Sequence, residues 1–305
     1  MTVRLSREVV DAVDAGHAVV ALESTLLAHG LPAPRNREVA DRIEDVVRAH
    51  GAVPATVAVL DGAAVVGLTS AELDRVCDPG RPLDKLSHRD LAVALARGGD
   101  GATTVASTST LAHAAGVRVF ATGGIGGVHR GAAHSYDVSA DLDVLARTPI
   151  VVVCAGVKSI LDIEATLEVL ETRSVPVLGY RTARFPAFYL RDSGHALTWW
   201  VQAPAEAAAI AEAHWGEVGS TSAVVVVNPI PADAELDRTL HDRVLEEALD
   251  RLARDGVHGK DVTPALLAYF HEHTDGQSLR ANEALVLANA AVAAEIAVAL
   301  AAGRR

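Results

Sequence analysis

Residues 150–172 read IVVVCAGVKSILDIEATLEVLET. Ile150–Cys154 is apolar without alternation, as in a strand covered on both faces. A short turn carrying Lys158 follows, and Ser159–Thr172 then repeats apolar residues at helical spacing. A buried strand running straight into a helix is the unit from which layered α/β sheets are built.

The same unit recurs on both sides of this stretch. Further strands are expected at Ala18–Leu22, Thr56–Leu60, Ala63–Val66, Thr103–Ala106, Val117–Ala121, Val177–Gly179 and Ala223–Asn228. Between them, Asn36 can cap a helix over Arg37–His50, where Val39, Ile43, Val46 and Val47 form one stripe and Gly51 ends the turn. Ser87 can cap Asp90–Arg97, and Pro204–His214 is a further helix. No internal repeat, low-complexity segment or linker interrupts the alternation. The expectation is one α/β domain over residues 1–305, a three-layer α/β/α arrangement with a largely apolar mixed sheet. Ligands gather beyond the carboxyl ends of strands in such sheets. Three polar features lie there: Glu23, the glycine-rich turn after Phe120, and Lys158.

Composition narrows the function classes. Hydrophobic residues make up 50% of the 305 and aromatics only 4%, so the core must be built from Ala, Val, Leu and Ile. A net charge of −12 argues against binding a nucleic-acid backbone as the main task, though not against one phosphate in a local basic pocket. Cys77 and Cys154 lack metal-site spacing, and no signal peptide is recognisable, so both are expected as reduced thiols in a cytoplasmic protein. Asn282–Ala302 is rich in Ala, Val and Leu but is interrupted by Asn282, Glu283, Asn289 and Glu295. It is expected as a buried helix, at a subunit contact, and not as a membrane span.

Only three lysines occur, Lys85, Lys158 and Lys260, against 24 arginines among the 27 basic residues. An amine can lose its proton, attack a carbonyl and form an imine, whereas a guanidinium cannot. Lys158, at a strand end, has the setting for that chemistry; the alternative is that arginine bias left the lysines as remnants. Lys85, in PLDKLSHRD, is a surface lysine or a point charge for a phosphate. Lys260 is structural or at the surface.

Three further stretches admit two readings each. FATGGIGGVHRGA, residues 120–132, fits neither a Walker loop nor a dinucleotide fingerprint; it lets backbone N–H groups approach a phosphate or sugar, or it makes a tight turn. In HSYDVSADLD, residues 134–143, Asp137, Asp141 and Asp143 suit a hard divalent ion, or are solvated loop acids. His129 and His134 lie nearby, but three ligands at zinc-like spacing are missing. Glu23 is a partly desolvated general acid or base, or a carboxylate favoured by a helix N-terminus.

Several segments together resemble one family: ALESTLLAHGLPAPRN, KLSHRDLA, GATTVASTSTLAHAAGVRVFATGGIGGVHRGA, SYDVSADL, VVVCAGVKSILDIEATLEVLET, VVVVNPIP and GKDVTPALLAYFHEHTDGQSLRANEALVLANA. In this order, from about residue 18 to about residue 297, the chain is similar to the pseudouridine-5′-phosphate glycosidases, which include the indigoidine-synthase-A-like proteins. The resemblance implies an α/β/α enzyme that cleaves the C–C glycosidic bond of pseudouridine 5′-phosphate to uracil and ribose 5-phosphate. It also implies one Mn²⁺ ion per subunit and a homotrimer. By resemblance, Lys158 is the nucleophile that forms an imine at C1′ and Glu23 the proton donor. Lys85 and the Val105 backbone contact substrate, Asp137 is the metal ligand, and Ser139, Ala140 and Asp141 form a further substrate-binding stretch. Glu283 and Ala288 stand where the family tends to have an apolar residue and a second Asn. Two rivals are a Schiff-base aldolase or lyase acting on another sugar phosphate, and a non-catalytic sugar-phosphate-binding protein.

Overall fold

The computed structural model describes residues 3–81, 83–257 and 262–303; Lys260 lies outside them. Its strands are β1 Val3–Leu5, β2 Val19–Leu22, β3 Val53–Leu60, β4 Ala63–Val66, β5 Asp84–Leu86, β6 Gly101–Thr103, β7 Val119–Ala121, β8 Val128–His129, β9 Val151–Cys154, β10 Leu161–Asp162, β11 Val177–Tyr180, β12 Trp199–Val201 and β13 Val224–Val227. Eleven form one sheet, ordered β1-β4-β3-β2-β7-β9-β13-β11-β12, with β6 on β3 and β5 on β6. From β3 to β12 every neighbouring pair on this path is parallel, while β4 and β6 run antiparallel to β3.

Consecutive strand residues point to opposite faces. Every residue of β2, β7, β9 and β13 is nevertheless buried, so both faces are covered by helices. The long helix Gln277–Ala302 packs on β2, β7 and β9 between helices Arg35–Ala49 and Pro204–Glu212. Helix Val105–Ala114 lies on β2, β3 and β4 beside Ala140–Leu145. Gln277–Ala302 is long and apolar enough to cross a membrane by composition alone. Here Leu285, Ala290, Ala293 and Ile296 are buried, and Glu283 and Asn289 have protein partners, as a core helix requires.

Some boundaries differ from the sequence expectation. The strand expected at Thr103–Ala106 ends at Thr103. Thr104 turns its backbone N–H to Ser107 Oγ at 2.8 Å, and a helix begins at Val105, so a local capping contact overrides the β-branched run. Asn36 does not cap. It sits inside its helix, buried, and its side-chain N–H groups clamp the carbonyls of Leu27 at 3.0 Å and Cys77 at 2.9 Å. The helix expected from Ser159 starts only at Ile163, capped by Asp162, because Leu161–Asp162 is drawn into an antiparallel pair with β8.

The register brings the polar groups together. Leu22 pairs with Ala121, Ala121 with Val153, and Val153 with Val226. The residues one step beyond, Glu23, Thr122, Cys154 and Val227, therefore form one row across the carboxyl edge.

Candidate active site

The cleft at this edge has two halves, and both Lys85 and Lys158 line each of them. The inner half is walled by Glu23, Thr25, Leu26, His29, Phe188 and Asn282. The outer half is walled by polar groups, among them Ser87, Arg89, Thr104, His129 and Asp137. A ligand with a flat, partly apolar end and a charged end would fit that division.

Lys158 is half-buried, and its backbone is fixed on both sides. Its N–H donates to Ile125 O at 3.3 Å and its carbonyl accepts from Leu161 N–H at 3.0 Å. The β8–β10 pair ties the same loop to the glycine-rich turn. Among the described residues no ion pair is made by the Lys158 amine, so it is not held to a carboxylate. Glu23 is only 9% exposed. Thr25 Oγ1 donates to its Oε2 and Thr122 Oγ1 to its Oε1. Thr25 reaches Glu23 from two residues along the chain, whereas Thr122 is reachable only through the strand register. Glu23 is thus buried at the strand end with both carboxylate oxygens hydrogen-bonded.

Two glycines of the turn have no room for a side chain. A Cβ on Gly126 would come within 2.7 Å of Asp141 Oδ2 and collide with Ser139 Oγ; one on Gly124 would come within 2.7 Å of the Phe188 ring. The Gly126 N–H is itself committed, donating to Asp141 Oδ2 at 2.8 Å. Phe188, at φ +60°, was not legible in the sequence. Asn289 is a buried polar residue on helix Gln277–Ala302. It donates to Thr122 O at 2.8 Å and accepts from Asn228, which locks the turn to the core helix.

The three clustered acids separate. Asp143 faces outward and pairs with Arg173 at 2.7 Å. Asp141 is buried, and its other oxygen accepts Ala106 N–H at 2.9 Å, so it braces the start of helix Val105–Ala114 as well as Gly126. Val105 opens that helix, at the end whose N–H groups lack intrahelical partners and favour anions. Ser139 caps helix Ala140–Leu145, accepting Asp141 N–H at 3.2 Å, and exposed Ala140 faces the cleft with it. Asp137 is part-exposed in the outer half, with His129 Nδ1 3.7 Å from its Oδ2. Burial, together with Lys158 and Lys85, holds His129 below the usual imidazole range against the pull of Asp137. Among the described residues no group of three or more His, Cys, Asp or Glu forms a cage. In the outer half, Asp137 and His129 are the neighbouring donors, and a closed zinc site would need more than these two. His134 is exposed and does not line the cleft. Lys85, on β5, is half-buried in the wall shared by both halves.

Residues 8–299 match the family described as indigoidine synthase A like protein. The chain is 58% identical over 295 residues to a pseudouridine-5′-phosphate glycosidase of Salinispora tropica, covering 97% of this chain and 91% of that one. It is 55% identical to the protein of the same name from Streptomyces griseus, covering 98% and 93%. Among solved structures it resembles a prealnumycin C-glycosynthase in complex with ribulose 5-phosphate, with TM-score 0.91 and 38% identity over 100% of this chain and 98% of that one. An indigoidine synthase A-like protein of Thermotoga maritima aligns with TM-score 0.89 and 35% identity over 99% and 97%.

Proposed function

The chain belongs to the indigoidine synthase A-like family, and we propose that it is an enzyme, a pseudouridine-5′-phosphate glycosidase that reversibly cleaves the C–C glycosidic bond to uracil and ribose 5-phosphate. The observation that carries the reading is one cleft in which an amine, Lys158, and a buried carboxyl, Glu23, line the same half while cationic and hydroxyl groups line the other.

The chemistry asks for that pair. The bond between C1′ and uracil C5 has no heteroatom to protonate, so a two-carboxylate glycosidase scheme lacks its first step. Instead Lys158 Nζ bonds to C1′ as the C1′–O4′ bond breaks, and O4′ takes up the proton that the amine sheds, which opens the sugar ring. The nitrogen electron pair then expels C5 as C5 takes a proton from Glu23, which leaves an imine between Lys158 and C1′. Water adds to the imine, releasing ribose 5-phosphate and restoring the amine. The Thr25 and Thr122 hydroxyls already point at the oxygens of Glu23 and stabilise the carboxylate that proton delivery leaves.

The remaining roles follow from position. Lys85, Ser87, Arg89 and Thr104 line the outer half and supply charge and donors for the phosphate, with the Val105 backbone next to Thr104 and with Ser139, Ala140 and Asp141 completing the wall. Asn282 is buried in the inner half, where its Oδ1 has no partner among the described residues and suits a uracil N–H. One Mn²⁺ per subunit, held by Asp137 beside His129, would supply positive charge next to the sugar phosphate. A single domain that assembles as a homotrimer in the cytoplasm, with no nucleic-acid or membrane partner, completes the proposal.

Release of uracil from pseudouridine 5′-phosphate, followed with the purified protein, tests the reading. A Schiff-base lyase for another sugar phosphate would form the imine without uracil turnover, and a binding protein would do neither.

A further inference from the structure

Glu283 is buried, its side chain 7% exposed, on the helix turn that carries Asn282. Its two oxygens take a fork from Arg35, Nε to Oε1 at 2.6 Å and Nη2 to Oε2 at 2.6 Å; Arg42 Nη1 adds a third contact at 3.2 Å. Arg35 is held in turn by Glu38 at 2.6 Å. A bidentate pair fixes angle as well as distance. Arg35 is 41% exposed, so the pair is only part-buried and solvent screening limits what it adds to net stability. Its geometry therefore calls for an explanation other than holding the fold together.

The place of the pair supplies one. Neighbours on a helix point about 100° apart, so a clamp on Glu283 sets both the rotation and the height of Asn282. Asn282 faces the inner half of the cleft. The residue after Arg35 is Asn36, whose amide holds Leu27 O at 3.0 Å, and Leu26, His29 and Gly30 form the facing wall. Two consecutive residues thus tie down both walls of the same chamber.

We infer that the Arg35–Glu283 pair is a positioning device that sets the spacing of the base-binding end, acting through Asn282 and touching no substrate itself. This rests on the proposed function, which gives the chamber a uracil to hold. Affinity for the base, more than capacity for chemistry, is what the pair controls.

The test separates base binding from chemistry. Glu283→Leu removes the clamp, and Arg35→Lys keeps the charge but loses the fork. In the direction of synthesis, KM for uracil is expected to rise on the order of tenfold in each, as small misplacements of binding groups cost that much or more. Borohydride trapping of ribose 5-phosphate needs no base, and is expected to stay within about twofold of wild type. The exchange Arg35→Glu with Glu283→Arg should recover part of the uracil affinity. In an Asn282→Ala background Glu283→Leu should add little, since both changes then act on one interaction. Unchanged uracil KM with only a lower melting temperature would overturn the inference, as would loss of trapping and base affinity together. A wild-type protein that traps ribose 5-phosphate but never joins it to uracil would reject the functional reading, and this inference with it.

Discussion

Thr122 stands one residue beyond β7 and donates its hydroxyl to Glu23, which stands one residue beyond the neighbouring strand β2. The acid is thus oriented by the sheet itself and by Thr25 two residues on. Glu23→Gln keeps the shape and removes the transferable proton. It should lower kcat by roughly 10²–10⁴-fold with little change in KM, the usual worth of a general acid. Thr122→Val should lower kcat less, by about tenfold, because one donor to the carboxylate remains. Steady-state uracil release measures both; a Glu23→Gln enzyme with normal kcat would remove the residue from proton transfer.

Lys158 is expected to be the residue that borohydride traps with ribose 5-phosphate, and peptide mass spectrometry locates the adduct. Lys158→Arg keeps the charge and loses the nucleophile, so trapping and turnover should vanish together. An adduct on Lys85, which shares both halves of the cleft, would reverse the two assignments.

Much of this was legible in the sequence, for a physical reason. Strands buried on both faces read as unbroken apolar runs, so β2, β4, β7, β9, β11 and β13 could be placed within a residue or two. Glu23 stands out because it follows such a run directly, and Lys158 because it lies in the short turn after one. What could not be read was anything set by register or by distant packing. Thr122 matters only because β7 lies beside β2, and Arg35 only because helix Arg35–Ala49 meets helix Gln277–Ala302 across 248 positions. Thr103–Ala106 misled because its β-branched composition matches a strand while the Thr104–Ser107 contact starts a helix.

Asp137, the proposed metal ligand, lines the outer half of the cleft beside His129, whose imidazole is held below its usual range by burial. Chelation with EDTA should remove most activity and Mn²⁺ should restore it. Asp137→Ala should resist rescue at ordinary metal concentrations, because a site with one protein carboxylate has no second anchor. Full turnover after exhaustive chelation would refute a catalytic metal, and recovery with Zn²⁺ alone would point to a different ligand set.

Asp141 separates a structural from a ligand-binding role more sharply than any other residue of the cleft. Its oxygens accept Ala106 N–H at 2.9 Å and Gly126 N–H at 2.8 Å, so it joins the start of helix Val105–Ala114 to the glycine-rich turn. Asp141→Asn keeps the volume but turns an N–H₂ group toward one of those two donors. A buried donor left without an acceptor costs about 1–3 kcal/mol. The melting temperature should therefore fall by several degrees, roughly 2–4 °C per kcal/mol for a large domain. Activity should fall with it, because the turn also carries Gly124 under Phe188 and leads to the backbone that fixes Lys158. Thermal melts and sugar-phosphate KM, measured on the same samples, distinguish the roles. A variant with unchanged melting and a raised KM would make Asp141 a direct substrate contact and the brace a secondary feature.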